Sequence, residues 1–246
     1  MTTQEEIKKK ILVPASKLPT IARKEKLKER NDFKESVQWR IFRIMAEFVD
    51  GFEFLSDFKK SVTFFGSARI KPDSPYYQEA EKLSAMLAKD DFAVFSGGGP
   101  GIMEAANKGA YEADGESVGL NIQLKYAQRI NNFIKKAMGF HYFFTRKVML
   151  SYSAQAYVFF PGGFGTLDEF FEILVLIQTE KIPRYIPIVC VGKEFWRSID
   201  EWIKEVNFGK YKFIDKEDIG FYHVVDSVEE AFEIIKKSKP RGDINY

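Results

Sequence analysis

A chain of 246 residues with 45% hydrophobic and 29% charged side chains can bury a sizeable core, which excludes a disordered polymer. Its 37 basic and 35 acidic residues nearly cancel to a formal charge of +2, so no overall field recruits nucleic acid or an anionic membrane, and any anionic ligand must be held locally. The single cysteine, Cys190, excludes an internal disulfide framework, a thiolate zinc cluster and a Cys-x-x-Cys redox pair.

Residues 1 to 30 are crowded with Lys and Glu, broken by Pro14 and Pro19, and lack an apolar period, as expected of a mobile or loosely docked arm. Met1 to Lys10 is polar and basic rather than a signal core, and no run of about 18 apolar residues occurs, so a cytoplasmic protein is expected. From Asp32 the pattern changes. Val37, Ile41, Ile44, Met45, Phe48, Phe52 and Leu55 recur at spacings of three and four, and Asp32 with Glu35 resembles a capping box, which predicts an amphipathic helix.

Short apolar runs follow at Val62 to Phe65, Phe92 to Phe95, Val118 to Ile122, Tyr157 to Phe160 and Ile186 to Val191. Continuous apolarity suits strands covered on both faces, and the intervals suit crossover helices. Cys190 falls in the last run and reads as a buried strand residue. Val224 to Lys237 predicts a brief strand and a helix from about Val228. The expected fold is therefore α/β: a Rossmann-like open parallel sheet flanked by helices over residues 59–246, preceded by an N-terminal helical extension, the arm and amphipathic helix of 1–58.

Two predicted strands end in glycine-rich turns that open helices, Ser96-Gly97-Gly98-Gly99-Pro100-Gly101 and Pro161-Gly162-Gly163-Phe164-Gly165-Thr166. Such turns let backbone N–H groups approach a phosphate at the positive end of a helix. The alternative is a tight connection in which glycine only supplies unusual backbone angles. A dinucleotide fingerprint needs Gly or Ala where the first turn has Ile102, and the expected ribose carboxylate is replaced by Asn121 and Gln123, so NAD is disfavoured. Neither turn carries a Walker lysine followed by Ser or Thr, which leaves a mononucleotide.

Glu169 lies three residues beyond Thr166, a spacing that also fits a capping box. Arg146 and Lys147 follow the aromatic run Phe140 to Phe144 and precede a helix-like segment, Val148 to Ala154; alone they would be a solvated basic pair. His141 and His223 are too few and too far apart for a histidine metal site, and no acidic metal cluster stands out.

Taken together, Phe143-Phe144-Thr145-Arg146-Lys147 and Pro161 to Glu169 resemble the paired signature of the Lonely-guy (LOG) family, cytokinin-activating phosphoribohydrolases and related purine 5′-monophosphate nucleosidases long mislabelled as lysine decarboxylases. The resemblance extends over Val62 to Arg69 and Gly97 to Glu104, from about Phe48 to the last helix. It implies that Arg146 and Glu169 are catalytic. It further implies nucleotide contacts from Lys147, Gly162, Gly163, Gly165 and Thr166, with Gly98, Gly99 and Ser67 of the two earlier motifs beside them. The penultimate position of the motif, often glutamate, is Asp168 here, and Gln123 to Lys136 matches more loosely.

That resemblance implies hydrolysis of the N-glycosidic bond of a purine or N6-modified adenine nucleotide, with no cofactor and no metal. An ionised Glu169 would stabilise a ribosyl cation and activate water, while the permanently protonated Arg146 positions phosphate or ribose. The expected partners are an AMP-like nucleotide and further copies of the chain, as a homodimer or larger, rather than nucleic acid or membrane. Two alternatives stand beside it: a non-catalytic nucleotide or molybdenum-cofactor carrier of the same fold, and an interaction module built on the N-terminal helix around a degenerate site.

Overall fold

The structure, a computed structural model, describes residues 36–123 and 130–240. The chain divides into two compact units, residues 1–41 and 42–246. The arm of 1–30 and the capping box at Asp32 and Glu35 lie outside the described residues. Helix α1 (Val37–Ser56) starts where Ser36 Oγ accepts the Trp39 N–H at 3.1 Å, so a serine supplies an N-terminal cap.

In the larger unit the order after α1 is β1 (Ser61–Phe65), α2 (Pro75–Lys89), β2 (Ala93–Ser96), α3 (Ile102–Glu112), β3 (Ser117–Ile122), β4 (Lys136–Phe140), α4 (Phe143–Tyr152), β5 (Tyr157–Phe159), α5 (Phe164–Gln178), β6 (Ile188–Val191), α6 (Lys193–Glu201), β7 (Tyr222–Val225) and α7 (Val228–Lys236). A π-helical stretch, Trp202–Lys210, continues α6, and a 3₁₀ turn, Glu217–Phe221, leads into β7. No helix among the described residues is long and apolar enough to cross a membrane.

The strands form one parallel sheet in the order β4-β3-β2-β1-β5-β6-β7. The chain steps outward from β1 to β4, then returns to place β5 on the other side of β1. That reversal creates a topological switch point between β1 and β5, where open α/β sheets bind ligands beyond the carboxyl ends of their strands. Phe65 pairs in register with Phe159, so the turns after β1 and β5 begin side by side.

Alternate strand residues feed two cores. Phe65, Phe95, Phe159 and Cys190 point toward Leu55 of α1, Met149 of α4, Phe170 of α5 and Trp196 of α6. Phe64, Val94, Val158 and Val189 meet Leu83 of α2, Ile102 of α3 and Ala231 of α7 on the other face. Each of these large side chains, fully removed from water, contributes about 1.5–3 kcal/mol. The uninterrupted apolarity of β1, β2, β5 and β6 follows from this two-sided cover, and burial pushes the Cys190 thiol pKa up.

Two elements depart from the sequence reading. Strand β4 was not expected, because at the sheet edge Lys136 and Ala137 are exposed and no apolar run marks it. Helix α4 starts at Phe143 rather than near Val148, so Arg146 closes its first turn and Lys147 opens its second instead of both preceding the helix. Aromatic residues are weak helix formers, and Phe143-Phe144 hid that start.

Candidate active site

The turn after β5 leads into α5 with Gly163 at the N-cap and no side-chain cap, so the first-turn N–H groups are open to an anion at the positive end of the helix. None of Gly162, Gly163 and Gly165 has a positive φ, so unusual backbone angles do not account for this turn. Gly162 is needed for packing: a Cβ there would land on the buried Thr166 side chain, whose own Cβ would lie at 2.6 Å. At Gly163 and Gly165 an added Cβ meets nothing within 4 Å, and both face solvent. Neither packing nor geometry demands glycine at these two positions, whereas close approach of a ligand to the backbone does.

Phe164 between them is 94% exposed. Thr166 stands in the first turn of α5 rather than at its N-cap, so the capping box expected of Thr166 and Glu169 does not form.

The first glycine turn is built differently. Gly97, Gly98 and Gly99 are buried; Gly98 and Gly101 have φ of +70° and +72°, which favour glycine. The Gly98 N–H donates to Ser96 Oγ at 2.9 Å, and Asn131 donates to the Gly98 and Gly99 carbonyls at 3.0 and 3.1 Å. A Cβ on Gly97 would strike the Arg146 guanidinium. This turn makes room for Arg146. Ser67, after β1, ties the region together: its N–H donates to Pro161 O, its carbonyl accepts the Ile102 N–H, both at 3.1 Å, and its Oγ accepts the Arg69 N–H.

Arg146 is 7% exposed and donates from Nε to Leu120 O, at the end of β3, at 2.7 Å. Burial lowers its pKa while the charge of Glu169 raises it, and a guanidinium stays protonated under both influences. Glu169, one turn into α5, has no hydrogen bond or ion pair among the described residues. Burial pushes its pKa up to about 7, against the opposing charges of Arg146 and Lys147 and with the support of Asp168 and Glu172. A carboxyl poised there changes charge near neutrality, as an acid–base group must.

Lys147 bridges to α5 instead of standing free, with Asp168 at 2.8 Å and Glu172 at 3.3 Å. Burial works to lower its pKa, but the hydrogen bond to Asp168 and the charge of Glu172 prevail and raise it. Asn121, which sequence reasoning used only to exclude NAD, packs against Gly98 and leaves its buried Oδ1 without a partner. No spacing or motif marks it. His141 lies between β4 and α4 and His223 in β7, and no group of three or more His, Cys, Asp or Glu able to hold a metal occurs among the described residues.

Residues 103–235, more than half of the chain, match the family model described as "Possible lysine decarboxylase". The chain belongs to this family, the LOG proteins. It is 29% identical over 118 residues to the cytokinin riboside 5′-monophosphate phosphoribohydrolase of Rhodococcoides fascians, covering 47% of this chain and 60% of that one. To the phosphoribohydrolase LOG7 of Arabidopsis thaliana it is 26% identical over 129 residues, 50% of this chain and 57% of the other. The matched part thus spans about three-fifths of these relatives' length.

Among solved structures, TM1055 superposes with a TM-score of 0.56 at 27% identity over 72% of this chain and 99% of that chain. The molybdenum cofactor carrier protein of Chlamydomonas reinhardtii gives 0.54 at 21% over 73% and 97%, which shows the LOG-like fold alone.

Proposed function

We propose that this LOG-family chain hydrolyses the N-glycosidic bond of a purine or N6-modified adenine nucleoside 5′-monophosphate, releasing free base and ribose 5-phosphate. The observation that carries the reading is Glu169: an unpartnered carboxyl with its pKa at about 7, one turn inside the uncapped helix α5 and beside the buried Arg146. The 5′-phosphate binds the first-turn N–H groups of α5 over Gly163 to Thr166, with Lys147 adding positive charge. Arg146 fixes the ribose and phosphate against Glu169.

As the C1′–N bond breaks, its electron pair leaves with the base and positive charge develops on the ribose, which ionised Glu169 stabilises. Water adds to C1′, Glu169 takes the proton released, and that proton passes to the base nitrogen that carried off the electron pair, which leaves a neutral free base and restores the carboxylate. The similarity to phosphoribohydrolases supports the substrate class, and the reading extends to a cytoplasmic homodimer or larger assembly.

Incubating the protein with AMP tests it: adenine and ribose 5-phosphate should accumulate together in equal amounts. AMP binding without either product would favour the carrier reading, to which the fold shared with molybdenum cofactor carriers lends support.

A further inference from the structure

Helix α4 carries Arg146 in its first turn yet has no cap of its own, since its N-cap residue is Tyr142 and no side chain of α4 closes that end. The cap comes from α1. Glu47, only 9% exposed, accepts the His141 N–H at 2.8 Å, the Tyr142 N–H at 3.3 Å and the Thr145 hydroxyl at 2.6 Å. A carboxylate in this position accepts two part-buried backbone N–H groups at the start of α4 and the buried Thr145 hydroxyl, and it opposes the positive end of the α4 dipole.

Two consequences follow for the site. The N-terminus of α4 is already filled by an anion, so a phosphate is directed to the uncapped N-terminus of α5 instead. Arg146, the residue after Thr145, is held at two points: Leu120 O fixes its Nε, and Glu47 fixes the turn from which its side chain departs. We infer that Glu47 is a positioning residue for Arg146, which makes α1 a working part of the site rather than an appendage. This rests on the nucleosidase reading for its kinetic consequence, though not for its structural one.

The test is a double-mutant cycle of Glu47→Gln and Arg146→Ala on the full chain, with AMP as substrate. Glu47→Gln should lower kcat about tenfold while KM stays within about twofold, because a small misplacement of a catalytic group costs rate before affinity. In the Arg146→Ala background the same change should cost nothing further. An equal loss in both backgrounds would reduce Glu47 to general support of the fold and overturn the inference.

The second readout needs no turnover. In ¹⁵N-labelled protein the Arg146 Nε–H resonance should move in Glu47→Gln, and an unmoved signal in a folded variant overturns the inference. If wild-type protein leaves AMP intact, the nucleosidase reading fails, and this resonance alone decides the role of Glu47. Should Glu47→Gln not fold, Thr145→Val removes one donor from the same carboxylate. It should shift the resonance and lower kcat less than about tenfold, and no effect on either would again overturn the proposal.

Discussion

Glu169 and Arg146 share one problem, the cost of holding charge away from water, and solve it differently. Arg146 keeps its proton and is stabilised by Leu120 O, whereas Glu169 accepts no hydrogen bond from the described residues and responds by raising its pKa. If the ionised carboxylate is the working form, kcat should rise through about pH 7 to a plateau; a rate that falls over that range would make protonated Glu169 the active species. Glu169→Gln should lower kcat about a hundredfold or more with AMP affinity retained, the range expected of an acid–base group. Arg146→Ala should cost about as much.

Lys147→Ala should chiefly weaken binding. It also removes a charge that lowers the Glu169 pKa, so the midpoint of the pH profile should move to higher pH; a midpoint that stays put would separate Lys147 from Glu169. The types of these residues were legible in the motifs. Their electrostatic states were not, because burial and the meeting of α4 with α5 are set by the fold.

At the scale of elements, the two glycine turns look alike in sequence and act differently in the structure. The first spends the Gly98 N–H on Ser96, its Gly98 and Gly99 carbonyls on Asn131 and its space on Arg146. The second leaves the N-terminus of α5 uncapped. If two N–H groups there hold the phosphate, each charge-assisted hydrogen bond is worth about 1.5–3 kcal/mol, so AMP should bind roughly a hundredfold or more tighter than adenosine. Calorimetric titration of both into the Glu169→Gln protein measures this without turnover. Gly163→Val should erase much of the difference while the protein stays folded, since the new Cβ meets open space and a poor N-cap costs only about 1 kcal/mol. Equal affinity for AMP and adenosine in the parent would remove the phosphate from this turn.

The sequence carried the central strands because sheet and helices cover them on both faces, which leaves continuous apolar runs. It did not carry β4, whose half-exposed edge position leaves no such run, or the start of α4, which is fixed by Glu47 from a distant helix. Signals set by tertiary contact are absent from local spacing.

Across the whole molecule, the site is held at a cost in stability that pH should reveal. A carboxyl whose pKa rises from 4.5 to about 7 on folding binds more protons in the native state than in the unfolded chain between those values. Its contribution is therefore fully favourable below about pH 4.5 and is lost as pH rises through about 7, where the native state must hold a desolvated charge. Glu169→Gln removes that charge and nearly preserves the shape, so it should melt above wild type at pH 8 and alongside it near pH 4.5. For a chain of this size each kcal/mol moves Tm by about 2–4 °C, which calorimetry resolves. AMP should raise the variant's Tm further, because a ligand bound only to the native state stabilises it by about 2.7 kcal/mol at a hundred times its Kd. A variant less stable than wild type at pH 8 would mean that Glu169 is held by favourable contacts as an ordinary structural carboxylate, and would take the strain argument for its catalytic role with it.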